Sequence, residues 1–203
     1  MNIQEFTAAY NNEFAGLPDR FEVTAENNHV SYAEGIERAV ALVQKCQQEQ
    51  KKIMLIGNGG SAGITSHMAI DFWKNGKVKA TAFNDASLLT CLSNDYSYDE
   101  VFVKPIEMFG EPGDLLFAIS SSGNSANIVN AAKAASAKGI HVVTFSGFQA
   151  DNKLRAAGVI NFFVPAFSYG FVEVLHNYII HCILDAKLYC HDKVNIFHKN
   201  QPL

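Results

Sequence analysis

The chain has 203 residues, 48% of them hydrophobic and 18% charged, a globular composition that excludes disordered and collagen-like classes and fits one domain of ordinary size. With 16 basic against 20 acidic residues the net charge is −4. No basic excess is available to hold a nucleic-acid backbone, although a small pocket for one phosphate is compatible with this balance.

Residues 1 to about 50 read as helical. Phe6, Tyr10 and Phe14 recur at i, i+4 spacing, and after Gly16-Leu17-Pro18 the stretch Tyr32 to Cys46 places Ile36, Ala39, Val40 and Val43 on one face. Ser31 with Glu34 matches a capping box at its start. Ile53 to Ile56 is an apolar run ended by Gly57-Asn58-Gly59-Gly60-Ser61, which reads as a strand buried on both faces. A helix over 62–74 follows, then a short strand at Ala80–Phe83 and a short helix over Ser87–Leu92. Asp114–Ser120 is a third strand, stopped by a second polar loop, Ser121-Ser122-Gly123-Asn124-Ser125. A helix over 126–138, strands at Ile140–Phe145 and Val159–Val164, and a long apolar helix from Phe171 to Tyr189 complete the pattern. Strands alternating with helices predict an α/β three-layer sandwich around a parallel sheet. The reading is one domain over 1–203: a helical segment at 1–50, an α/β core at 51–190 and a loosely held tail at 191–203.

Cys46, Cys91, Cys182 and Cys190 are widely spaced without a CxxC pair, and the first three sit in apolar segments, as free cysteines do. No basic region followed by an apolar stretch opens the chain, and no apolar run reaches the roughly 18 residues needed to span a bilayer. The expected location is the cytoplasm, with no membrane partner.

Two loops fall where open α/β sheets bind ligands, beyond the carboxyl ends of strands. They are Gly57–Ser61 and Ser120–Ser125. Glycine lets the backbone approach an anion, while hydroxyls and free helix N-terminal amides donate to it. The second loop carries Ser120, Ser121, Ser122 and Ser125 and reads as a phosphate cradle, without the lysine of a P-loop. Ordinary strand-to-helix turns are the alternative for either loop alone.

His67 and Asp71 share a helix face at i, i+4, and Glu173, His176, Asn177 and His181 interrupt the apolar helix near the end. Two histidines and two carboxylates converging suit zinc or a related divalent ion, or proton transfer. The bland alternatives are a surface ion pair at 67 and 71 and a hydrogen-bonded core histidine, and spacing leaves His176 and His181 equivalent as ligands.

The segments IGNGGSAGITSHMA (56–69), CLSNDYSYDEVF (91–102), GDLLFAISSSGNSANIVNAA (113–132) and EVLHNYIIH (173–181), in this order, resemble the SIS (sugar isomerase) domain family and, within it, the bacterial phosphoheptose isomerases. The resemblance covers most of the chain. It implies a five-stranded parallel sheet flanked by helices and a homotetramer with active sites at subunit interfaces. The implied activity is aldose–ketose isomerisation of sedoheptulose 7-phosphate to a heptose 7-phosphate for lipopolysaccharide or other surface heptose. Asn58, Gly59, Gly60 and Ser61 match the first substrate loop, Asn94 and Asp95 a further substrate contact, and Ser120, Ser121, Ser122 and Ser125 the phosphate loop. His67 and His181 match zinc ligands, the latter also a catalytic acid/base, and the match prefers His181 over His176. Two positions depart from the family pattern. Asp71 stands where the family has a glutamate that is both ligand and base, and Glu173 stands where it has a glutamine. The implied metal set is then His67, Asp71, Glu173 and His181, with one zinc per site and Asp71 and His181 as the catalytic pair. Two competing readings are a non-catalytic SIS protein that binds the replication initiator DnaA and an isomerase of another sugar phosphate.

Overall fold

The computed structural model describes residues 1–198. Seven strands form one sheet: β1 (Glu22–Ala25), β2 (Asn28–Val30), β3 (Lys52–Gly57), β4 (Lys79–Ala82), β5 (Leu115–Ser120), β6 (His141–Gly147) and β7 (Ile160–Val164). Their order is β2-β1-β7-β6-β5-β3-β4. The five strands β7, β6, β5, β3 and β4 are all parallel, as the helix–strand alternation predicts, while β1 runs antiparallel to both β7 and β2.

The helices are α1 (Ile3–Gly16), α2 (Tyr32–Gln48), α3 (Gly60–Lys74), α4 (Ala86–Asp95), α5 (Val103–Phe109), α6 (Ala126–Ala137) and α7 (Tyr169–Cys190). Side chains of β5 alternate between two cores. Leu115, Phe117 and Ile119 join the layer of α2, α3 and α7, whereas Leu116 and Ala118 join the layer of α5 and α6. Every residue of β5 is buried, the two-sided burial expected of a central parallel strand. Phe117 meets Phe72 of α3 and Phe145 of β6 edge-on, at 5.6 and 5.4 Å between ring centres.

The strand pair β1–β2 corrects the helical reading of residues 1–50. Glu26 and Asn27 between the strands both have positive φ, 51° and 66°, the twist of a two-residue hairpin turn built without glycine. Helix α5 has no counterpart in the expected elements. Pro105 lies in its first turn, where a missing N–H costs nothing. The third predicted strand starts one residue later than expected. Asp114 is fully buried, and its carboxylate binds the Lys52 ammonium at 2.6 Å and accepts the Lys52 and Glu111 amides. The capping box at Ser31 is half formed: Ser31 accepts the Glu34 amide at 3.1 Å, while the Glu34 carboxylate turns to Arg38.

Four free cysteines are present. Cys46 is buried, which pushes its thiol up to about 12, whereas Cys91 is exposed rather than packed in an apolar segment. Of the expected loose tail, residues 191–198 are tied to α7. The Val194 amide donates to Leu188 at 3.0 Å, and Phe197 packs on Tyr189. Residues 199–203 lie outside the described residues. Among the described residues no helix is long and apolar enough to cross a membrane.

Candidate functional site

Both polar loops leave the same edge of the sheet. The first follows β3 and opens α3, and the second follows β5 and opens α6. In the first, Gly59 is the N-cap of α3 at φ 54°, ψ −122°, a conformation that requires glycine. In the second, Gly123 has φ 64° and packs against Asn152 so closely that a Cβ would overlap the amide side chain. Between the loops lies a cavity of about 230 Å³. Asn58, Gly59, Gly60 and Ser61 line one wall and Ser120, Ser121, Ser122 and Ser125 another. All eight were expected in the site from their sequence positions.

The hydroxyls of the second loop could receive an anion. Ser120 Oγ accepts the Gly123 amide at 3.1 Å and lies 3.3 Å from Ser125 Oγ, which holds the loop curled. Ser125 is the N-cap of α6 but makes no side-chain cap hydrogen bond. Ser121 Oγ is buried and has no hydrogen-bond partner among the described residues, a cost of roughly 1–3 kcal/mol unless a ligand meets it. The N-terminal end of α6 adds a positive dipole end. Asn58 also lines the cavity, but its amide is engaged elsewhere. Asn58 and Asn127 pair reciprocally at 2.9 and 3.0 Å, and Tyr98 donates to Asn58 Oδ1 at 3.0 Å.

Helix α7 closes the cavity with Tyr169 and Glu173. Tyr169 was missed from sequence. It is the first residue of a long helix facing a polar loop, and that position is its only signal. Asn94 and Asp95 do not line this cavity. Asn94 lies in an adjacent surface depression beside Tyr98, and its amide donates to Asp95 at 3.0 Å. Tyr98 therefore connects the two places through Asn58.

Further along α3 and α7, which pack together, His67, Asp71 and His181 bring one ligand atom each within 4.8 Å of one another. His67 Nε2 is 3.4 Å from Asp71 Oδ2, and the two imidazoles are 5.4 Å apart. Asn75, a turn beyond, donates to Asp71 Oδ1 at 3.2 Å. Glu173 stands apart from this trio: its carboxylate is folded over Gly60, at the start of α3. Two imidazoles and one carboxylate within this span are a ligand set that could hold a metal ion. Asp185, one turn after His181, is a further residue the sequence reading did not single out. Burial raises its carboxyl pKa, His181 opposes that rise and Asp71 adds to it.

His176 is separated from His181 by its surroundings. It is completely buried on the opposite side of α7, with Nε2 3.0 Å from the Ser146 carbonyl, and burial pushes its pKa down to about 4. A neutral ring donating to β6 is a structural residue and is not part of the trio.

The sequence matches the family model of the SIS domain over residues 19–147. The chain is 38% identical over 160 residues to a phosphoheptose isomerase of Shewanella denitrificans, covering 75% of this chain and 82% of that protein. It is 37% identical over 158 residues to one of Chromohalobacter salexigens, covering 74% and 80%. The solved phosphoheptose isomerase from Neisseria gonorrhoeae superposes with a TM-score of 0.79 at 32% identity, covering 92% of this chain and 99% of that one. A phosphoheptose isomerase from Francisella tularensis has the same fold, with a TM-score of 0.78 at 22% identity. A family match spanning well over half the chain, together with relatives above 30% identity over three quarters of it, establishes that the chain belongs to the SIS domain family.

Proposed function

We propose that this protein is a phosphosugar isomerase that converts sedoheptulose 7-phosphate to D-glycero-D-manno-heptose 7-phosphate for surface heptose, acting in the cytoplasm. The observation that carries the reading is the pairing of an anion cradle with a His–Asp–His trio on the two helices that border it. The names of the relatives at 36–38% identity support the sugar.

The phosphate occupies the serine loop, where Ser121 supplies the unpartnered hydroxyl and α6 its N-terminal amides. The sugar chain then runs along α3 and α7 from Gly60 toward His67, a rise of about 10 Å for seven helical residues. Binding energy at the remote phosphate holds the reacting carbons in place. Asp71 removes the proton from the hydroxyl-bearing carbon next to the carbonyl, and the C–H electron pair becomes the double bond of an enediolate. His181 moves a proton between the two oxygens, and Asp71, whose side chain is 19% exposed and exchanges its acid proton with water, delivers a proton to the neighbouring carbon, so that ketose becomes aldose without net gain or loss. His67, Asp71 and His181 would hold one zinc ion per site, whose chemistry there is Lewis-acid polarisation of sugar oxygens. Glu173 contacts the sugar from the α7 side, and Asn94 and Asp95 border the outer end through Tyr98.

The trio also supports an assembly with sites at subunit interfaces, a homotetramer. His67 is 57% exposed, and on the same two helices Ile70, Trp73, Val174 and Tyr178 are exposed apolar residues. A run of this kind beside a reaction centre marks a contact surface. A coupled assay with sedoheptulose 7-phosphate, with and without added zinc, tests the activity. Turnover is expected; none under either condition, by folded protein, contradicts it.

A further inference from the structure

Among the described residues, one charged side chain lines the cavity between the two loops. Its lining is glycine, serine, Asn58, Ile119 and Tyr169, apart from Glu173. Among the described residues, no lysine, arginine or histidine lines it to neutralise an anion. Glu173 reaches over the first turn of α3, and a side chain at Gly60 would collide with both of its carboxylate oxygens. The glycine therefore makes room for the carboxylate.

We propose that Glu173 determines specificity by admitting only a hydrogen-bond donor from the sugar to the ground over α3. It thereby excludes sugar phosphates that carry a carboxylate or a second phosphate there. This rests on the phosphosugar reading and names its substrate class: phosphomonoesters of polyhydroxy or amino sugars, and not aldonate phosphates or bisphosphates. Three observations carry it. An ionised carboxylate accepts hydrogen bonds and donates none, unlike an amide in the same place. The amides at the start of α3 would otherwise suit an anion, and the Glu173 carboxylate lies over that first turn against Gly60, which leaves the serine loop, with a Ser121 hydroxyl unpartnered among the described residues, for the single phosphate. A second anion inside a cavity of about 230 Å³ would meet the Glu173 charge with little water between them.

Equilibrium binding of two matched ligands to the full-length protein tests the proposal. Glucitol 6-phosphate and 6-phosphogluconate share a carbon chain and a phosphate, and they differ at the far end as alcohol and carboxylate. Wild type is expected to bind the acid at least about tenfold more weakly, and Glu173→Gln, which keeps the shape and removes the charge, to narrow the gap to about threefold or less. Zinc titration of the same two proteins is expected to give equal affinities. An acid-to-alcohol ratio unchanged by Glu173→Gln overturns the proposal. If that variant also loses zinc affinity tenfold, Glu173 belongs with the trio instead. Failure of glucitol 6-phosphate to bind folded wild type overturns the anion-cavity reading and this proposal together. The expected ratio without any heptose turnover contradicts the isomerase reading alone.

Discussion

Asp71 is held from two sides. Asn75 binds its Oδ1, and His67 faces its Oδ2. A carboxylate one methylene shorter than the glutamate of the resembling family thus keeps a fixed direction, which matters because a misplacement of about 1 Å can cost on the order of a hundredfold in rate. Asp71→Asn removes the proton acceptor and keeps the shape, so kcat is expected to fall at least about a hundredfold while the affinity for inorganic phosphate, held by the serine loop, stays unchanged. Steady-state kinetics with a parallel phosphate titration checks both. His176 gives a prediction of a different kind. Its pKa is lowered to about 4 in the folded chain from an ordinary 6.5, so the unfolded chain binds the extra proton between these values. The stability it contributes is intact above pH 6.5, falls as pH drops below 6.5, and is fully lost below about 4, about 3 kcal/mol in all. Urea unfolding of wild type and His176→Asn across pH 7 to 4 should show a shallower decline in the variant. Parallel slopes would contradict this role of His176.

At the level of elements, the site is an arrangement of two strand-to-helix loops and one pair of helices. Glycine, serine and asparagine directly after apolar runs made the loops at 57–61 and 120–125 legible in sequence, because the same residues that stop a strand also expose amides. The histidines of α7 were not separable in that way. His176 and His181 both interrupt an apolar helix, and only the packing of α7 on β6 decides which of them faces a strand carbonyl. The hairpin of β1 and β2 was hidden because Glu26 and Asn27 take positive φ without the glycine that usually announces such a turn. The two helices that carry the trio are fastened by Lys187, a completely buried lysine on α7. Its ammonium donates to the Gly76 carbonyl just past α3 and to Asp192, both at 2.7 Å. Gly76 in turn donates its amide to the Asp71 carbonyl at 3.1 Å. Lys187→Met leaves the Gly76 carbonyl unsatisfied, an expected loss of about 2 kcal/mol in unfolding free energy. Because the clamp sits next to Asp71, a weaker zinc affinity is expected as well. Denaturant unfolding and zinc titration together separate a local effect from a global one.

Across the whole molecule, the parallel five-stranded core follows from strands whose two faces both carry apolar residues, and this much could be read from the chain. The covering of the outer faces could not. Helix α1 has no buried residue and touches the rest mainly through Tyr10 and Phe14 against Phe171. Together with Ile70, Trp73, Val174 and Tyr178 this leaves apolar surface that a second copy would cover. The single tryptophan of the chain, Trp73, reports on that contact. Dilution to monomer should shift its emission to the red, and Trp73→Glu should lower the mass measured by light scattering and reduce turnover. A monomeric wild type with full activity would contradict interface sites. The proposed proton transfer at the trio is tested most directly by proton NMR of sedoheptulose 7-phosphate incubated with the zinc-loaded protein in D2O. New aldose signals with deuterium on the carbon next to the carbonyl are expected, and neither change with Asp71→Asn. Aldose formed with no deuterium, or no aldose formed by protein that binds the sugar phosphate, would contradict that transfer.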